Sequence, residues 1–120
     1  MTKTIWKSAL KLEEIQTVRL PAGAELLTVQ MQHEYIPTLW AAVNPGLPLV
    51  DRYIAIYGTG NPIPECPGKH LGTVQDASTR TPMVWHVFEI DGPADGLETA
   101  LTNNLAPMAP QQGVATWAMA

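Results

Sequence analysis

The sequence predicts an all-β domain: a small antiparallel sandwich or partly open barrel of about seven strands, followed by a C-terminal tail with room for one short helix. Three observations carry that prediction. Short segments rich in valine, isoleucine, leucine, threonine, tyrosine and tryptophan recur from residue 4 to residue 90, a composition that suits a pleated, half-buried surface. Clusters of proline and glycine separate them, and such clusters end regular structure. Apart from one potential turn at residues 11–16 (KLEEIQ), nothing in the body repeats apolar residues at helical spacing.

In chain order, Thr4 to Leu12 carries Ile5, Trp6 and Leu10, and Ile15 to Leu20 (IQTVRL) has the β-branched content of a strand. Pro21-Ala22-Gly23-Ala24 reads as a turn, with proline fixing φ and glycine accepting a positive one. Leu26 to Met31 then alternates, with Leu27, Val29 and Met31 on one face and Thr28, Gln30 and Gln32 on the other. Two strands joined this tightly predict a hairpin. His33 to Pro37 is a second turn, and Thr38 to Val43 (TLWAAV) is a third strand of the same meander.

Asn44 to Pro48 breaks the chain before Arg52 to Tyr57 (RYIAIY), in which Tyr53, Ala55 and Tyr57 oppose Arg52, Ile54 and Ile56. Gly58 to Gly68 holds three prolines and three glycines in eleven residues, which makes it a long, stiff loop. Lys69 to Gln75 and Met83 to Ile90 complete the strands. Several strands are apolar on both sides, so periodicity alone leaves open which faces form the core.

Composition narrows the function classes. The 120 residues suit one domain, and 46% apolar against 15% charged residues is enough for a core. Seven basic and eleven acidic side chains give a net charge of −4 with no basic stripe, which argues against a nucleic-acid binder. The single cysteine, Cys66, excludes an intrachain disulfide and every multi-cysteine zinc pattern. The histidines, at 33, 70 and 86, share no metal-ligand spacing, so no metal or cofactor is expected. The N-terminal residues turn polar too early for a signal peptide, and no apolar run reaches the ~20 residues of a membrane span. A cytoplasmic protein without membrane contact is expected.

At Asp91 the composition shifts, dividing a β domain (1–90) from an acidic, alanine- and proline-rich tail (91–120) with three acids and no lysine or arginine. Leu97, Leu101 and Leu105 have helical spacing. A frayed terminus is the alternative, as is a tail anchored by Trp117 and Met119 on the body or on a neighbouring subunit.

Catalytic groups are sparse. His86 lies mid-strand on the face of Val84 and Phe88, where a half-buried, hydrogen-bonded imidazole is expected. His70 reads as a loop histidine beside Lys69 without a visible partner. Cys66 adjoins Glu65, the wrong setting for a reactive thiolate. Ser8 and Ser78 lie in no nucleophile elbow, and no enzyme is predicted.

The most distinctive stretch is Tyr57-Gly58-Thr59-Gly60-Asn61. It reads either as a nest of backbone N–H groups for an anion or as a turn that needs glycine conformations. It is neither a P-loop nor a GxGxxG motif. Trp40 opposes Leu39, Ala41 and Val43, and becomes a stacking platform if its face is the outer one. Of Trp6, Trp40 and Trp85, at least two are expected in the core.

Lys3-Thr4-Ile5-Trp6-Lys7, Ile15-Gln16-Thr17-Val18, Leu20-Pro21, Leu27-Thr28-Val29-Gln30, Leu39-Trp40-Ala41, Ile56-Tyr57-Gly58-Thr59-Gly60 with Pro62, and Trp85-His86-Val87-Phe88-Glu89 resemble a family of small uncharacterised phage and prophage proteins. The resemblance covers residues 3–90 and leaves out the tail. It implies a genetic setting, an accessory protein of an infected or lysogenic bacterium, and supplies no activity or catalytic residues.

The leading expectation is therefore a non-enzymatic protein that counters host defence, sequestering a nucleotide-type immune signal in a homo-oligomer. Its binding residues would be Arg52, Tyr57, Gly58, Thr59, Gly60, Asn61, Lys69, His70 and Trp40. The alternatives are a direct inhibitor of a host defence protein acting through the acidic surface, and a structural or assembly protein of the virion. A hydrolase with His70 or His86 as its base is the remaining enzyme option.

Overall fold

The computed structural model describes residues 2–33, 36–77 and 80–93. Seven strands follow one another: β1 (Thr4–Ala9), β2 (Ile15–Pro21), β3 (Glu25–His33), β4 (Ile36–Val43), β5 (Leu49–Gly58), β6 (Lys69–Asp76) and β7 (Met83–Ile90). They form two antiparallel sheets, ordered β1-β4-β3 and β2-β5-β7-β6. The sheets pack as a sandwich and do not close into a barrel. The described residues contain no α-helix.

The pleat dictates which residues meet. Leu39, Ala41 and Val43 of β4, Ile54 and Ile56 of β5, and Val87 of β7 each occupy every second position and are almost fully buried. With Val18, Leu20, Leu26, Val29 and Val74 they form the main core between the sheets. Each buried leucine, isoleucine or valine among them contributes roughly 1.5–3 kcal/mol through burial, so the shared inner face dominates the fold's stability.

The turn at Pro21–Ala24 is present, with Ala24 N–H donating to Pro21 O at 3.1 Å and Gly23 at φ 75°. It does not make the expected hairpin. β2 pairs with β5 and β3 with β4, so this turn carries the chain from one layer to the other. That arrangement directs Val18 and Leu20 as well as Leu26 and Val29 into one core. The alternation expected of β3 also breaks: a register shift between Leu26 and Thr28 puts Leu26 inside and leaves Leu27 45% exposed. The pairing of β3 with β4 agrees with the meander; residues 34–35 between them lie outside the described residues, as does the tail from residue 94, with its helical spacing and its Trp117 and Met119.

At one edge the sheets nearly touch. A Cβ at Gly72 of β6 would sit 3.0 Å from Val29 O of β3, so glycine permits the approach of these two backbones.

β5 and β6 are both antiparallel to β7 and flank it. They are thus parallel to each other, and residues 59–68 must return along β7 as a crossover. A second apolar cluster lies on the outer face of the sheet: Ala55, Tyr57 and Ile90 are buried there, with Ile15, Tyr53 and Phe88 packed against them. The two ends of the proline-rich stretch meet that face, Thr59 at His86 and Gly68 at Ile90. Gly68 ends the stretch at φ 98°, against the Glu89 carbonyl and Ile90 Cγ2.

Candidate functional site

β7 places His86, Phe88 and Ile90 in a row along the outer face of the four-stranded sheet. Register sets Tyr57 on one side of His86 and Thr73 on the other. A chain of side-chain hydrogen bonds results: His70 Nε2 to Thr73 Oγ1 at 3.0 Å, Thr73 Oγ1 to His86 Nδ1 at 3.0 Å, and His86 Nε2 to Thr59 Oγ1 at 2.6 Å.

Every member is satisfied when donation runs one way. His70 Nε2–H donates to Thr73, whose hydroxyl donates to His86 Nδ1. His86 Nε2–H then donates to Thr59, whose hydroxyl donates to Val84 O at 3.4 Å. The His86 imidazole is neutral in this arrangement, because its Nδ1 accepts. Burial, and next the nearby His70, hold the His86 pKa below the usual histidine value. The His70 ring also sets its edge against Phe88, at 5.2 Å between centroids.

Histidine and threonine thus tie the start of the crossover, Thr59, to both β6 and β7. The sequence signal for this network was faint. His70 is a strand residue with a partner, contrary to the expectation of a lone loop histidine, because a register shift between His70 and Gly72 brings His70 and Thr73 onto one face. Strict alternation would have put them on opposite faces. His86 is half-buried and hydrogen-bonded, as its position in MVWHVFEI implies.

The glycine stretch works as a turn. Asn61 N–H donates to Gly58 O at 3.1 Å with Gly60 at φ 90°, and Thr59 N–H donates to Val84 O at 3.0 Å. Two donors that an anion nest would need are therefore already engaged. Asn61 Oδ1 is buried and accepts no protein hydrogen bond.

Arg52 and Lys69 meet elsewhere, where β5 and β6 begin and β7 ends. They line an open groove of about 740 Å³ together with Tyr53, Asp51, Glu89 and Asp91. Arg52 is committed within the fold: its Nε and Nη2 donate to the two Glu89 oxygens at 2.5 and 3.0 Å, and Nη1 donates to Ala24 O at 2.8 Å. Arg19 pairs with Asp51 at 3.3 Å. These two pairs cancel, and Lys69 and Asp91 remain as the groove's unpaired cation and anion among the described residues.

Trp40 does not join either group. It lies half-buried on the outer face of the three-stranded sheet between Lys7 and Thr28, on the opposite side of the sandwich. The tryptophans depart from expectation as well: Trp6 is 37% exposed, and of Trp6, Trp40 and Trp85 only Trp85 packs against the main core. Cys66 is exposed in the crossover. Among the described residues no three histidine, cysteine or acidic side chains cluster as metal ligands, and no helix is long and apolar enough to cross a membrane.

Residues 1–96, which include all seven strands and both walls of the groove, match DUF7352, a domain of unknown function. The chain belongs to that family. No curated protein and no solved structure matches it. The DUF7352 match takes in Asp91 and ends at residue 96, so the groove lies wholly within the family's domain and most of the tail lies outside it.

Proposed function

We propose that this DUF7352 domain is a non-enzymatic binding protein whose groove takes a nucleotide-type small molecule. The observation that carries the reading is the uncancelled pair Lys69 and Asp91 beside Tyr53, in a concavity of about 740 Å³. Sites for small ligands commonly span roughly 300–1,000 Å³. A nucleotide presents complementary chemistry to these three side chains. Its phosphate suits the Lys69 ammonium, its base suits the face of Tyr53, and an exocyclic amino group suits the Asp91 carboxylate.

The histidine–threonine chain ties the start of the crossover to β6 and β7 and needs no catalytic role in this reading. The resemblance to phage and prophage proteins supplies the setting: a cytoplasmic protein of an infected bacterium that lowers the free concentration of a nucleotide-type immune signal and so counters host defence.

Calorimetric titration with AMP and with a cyclic dinucleotide tests this. Lys69→Ala removes one charge-assisted hydrogen bond, worth about 1.5–3 kcal/mol, and is expected to weaken binding by about 10- to 100-fold. Asp91→Asn should alter the preference among bases. Equal binding by wild type and Lys69→Ala, or no binding of either ligand, contradicts the assignment.

A further inference from the structure

The four strands that border the two sheets differ in how their edges are protected. β3 and β6 face each other, with Gly72 against the Val29 backbone. β2 carries the exposed Arg19–Asp51 pair with its neighbour β5. Its first turn is closed by Gln16, whose side chain accepts from Lys11 N–H at 3.0 Å and donates to Lys11 O at 2.7 Å. β1 has none of these devices. Its six residues pair with β4 without a bulge, and its other edge makes no backbone hydrogen bond among the described residues. Ile5 is 62% exposed and Trp6 37%. Lys7, the residue that would discourage pairing, has its ammonium drawn across the sheet to Gln32 Oε1 at 3.1 Å.

We infer that β1 pairs with β1 of a second copy of this chain, joining two three-stranded sheets into one six-stranded sheet across a two-fold axis. This inference is independent of what occupies the groove. The phase of the ladder fixes its geometry. Leu10 N–H donates to Pro37 O, one step beyond the Ser8–Leu39 pair. Even-numbered residues of β1 therefore direct their backbone groups to β4, and Ile5, Lys7 and Ala9 direct theirs to the free edge.

A two-fold axis perpendicular to the sheet requires opposed residues to share a face, so only a few registers are available. Centring on Lys7 sets lysine opposite lysine, and centring on Ile5 sets Lys3 opposite Lys7; like charges directly opposed are destabilising. Centring on Trp6 avoids both. Ile5 then exchanges hydrogen bonds with Lys7 of the second copy, Thr4 faces Ser8, and the two Trp6 indoles meet at the axis in a close, non-hydrogen-bonded pair. β1 is thus self-complementary in backbone phase, in charge and in apolar surface, as a symmetric interface must be.

Sedimentation equilibrium of the full chain tests this, with a dimer at twice the 13.0 kDa monomer mass expected. Lys7→Pro removes an N–H that faces only the free edge, so it should give a folded monomer by circular dichroism, whereas Lys7→Ala should remain dimeric. Should Lys7→Pro fail to fold, Trp6→Cys in a Cys66→Ser background provides the second readout, because the register places the new thiols within disulfide reach across the axis. Expected is a covalent dimer on mild oxidation. A monomeric wild type, a folded Lys7→Pro that stays dimeric, no Trp6→Cys cross-link, or β1 taken up instead by a host protein's strand would each overturn the assignment.

Discussion

Arg52 and Glu89 form a bidentate ion pair at the end of the sandwich, and a third bond from Arg52 to Ala24 O ties this pair to the turn that links the two sheets. Their side chains are only 21% and 20% exposed. Arg52→Ala leaves the Glu89 carboxylate partly desolvated without its cation. The expected loss is about 2–3 kcal/mol, somewhat below the ~3–5 kcal/mol of fully buried pairs. Urea unfolding measures it, and replacing both residues by Met and Leu should recover most of the loss. A single-variant cost under ~0.5 kcal/mol would show the pair to behave like an exposed one.

The glycine of the β2–β3 turn and the glycine that ends the crossover stand in contrasting surroundings. Gly68 has φ 98°, and a Cβ there meets the Glu89 backbone, whereas Gly23 has φ 75° with open space around it. Gly23→Ala should cost about 1–2 kcal/mol from the left-handed backbone alone. Gly68→Ala adds a clash with main chain and should cost clearly more. Thermal melts of the two variants rank them; equal shifts would mean that Gly68 does not anchor the end of the crossover at Ile90.

Acidification should act through His86. Its folded pKa lies below the unfolded value near 6.5, so between those two values the unfolded chain binds more protons than the folded one. Stability should be level above pH 6.5, fall as pH drops below it, and level off below the folded pKa. Urea midpoints collected from pH 8 to pH 4 should show less of this decline in His86→Gln than in wild type. An unchanged slope would assign the decline to other groups.

Thr59→Val removes the hydroxyl that joins His86 Nε2 to Val84 O. A loss of about 1–2 kcal/mol is expected for one such orphaned, half-buried group. Amide exchange should rise at Thr59 and Asn61 while the inner strand β5 stays protected. Uniform exchange across the domain would instead indicate that the crossover opens only with global unfolding.

The strand order along the chain was legible because RYIAIY and MVWHVFEI carry strong β signals and Gly58–Gly68 cannot be regular. Pairing was less so. Pro21–Ala24 has the chemistry of a hairpin turn, but a turn specifies local φ and ψ, not which strand becomes the neighbour; the need to bury Val18, Leu20, Leu26 and Val29 together decided that. The double-sided apolar pattern of β5 reflects two clusters, Ile54 and Ile56 in the core between the sheets and Ala55 and Tyr57 in the cluster on the outer face. Bulges at Leu27 and Leu71 inverted local phase, which hid the meeting of His70 with Thr73. Of the residues expected to bind ligand, Lys69 and Arg52 do share a groove. Tyr53 and Asp91, which complete it, are brought there by strand ends distant in sequence.

Native mass spectrometry of the full chain, purified gently from bacteria with active nucleotide signalling, tests the binding role most directly. The expected result is a species carrying an extra few hundred daltons per chain that is lost on denaturation and absent from Lys69→Ala. A wild-type chain that arrives bare, or bound instead to a stoichiometric host protein, would contradict a nucleotide-binding groove.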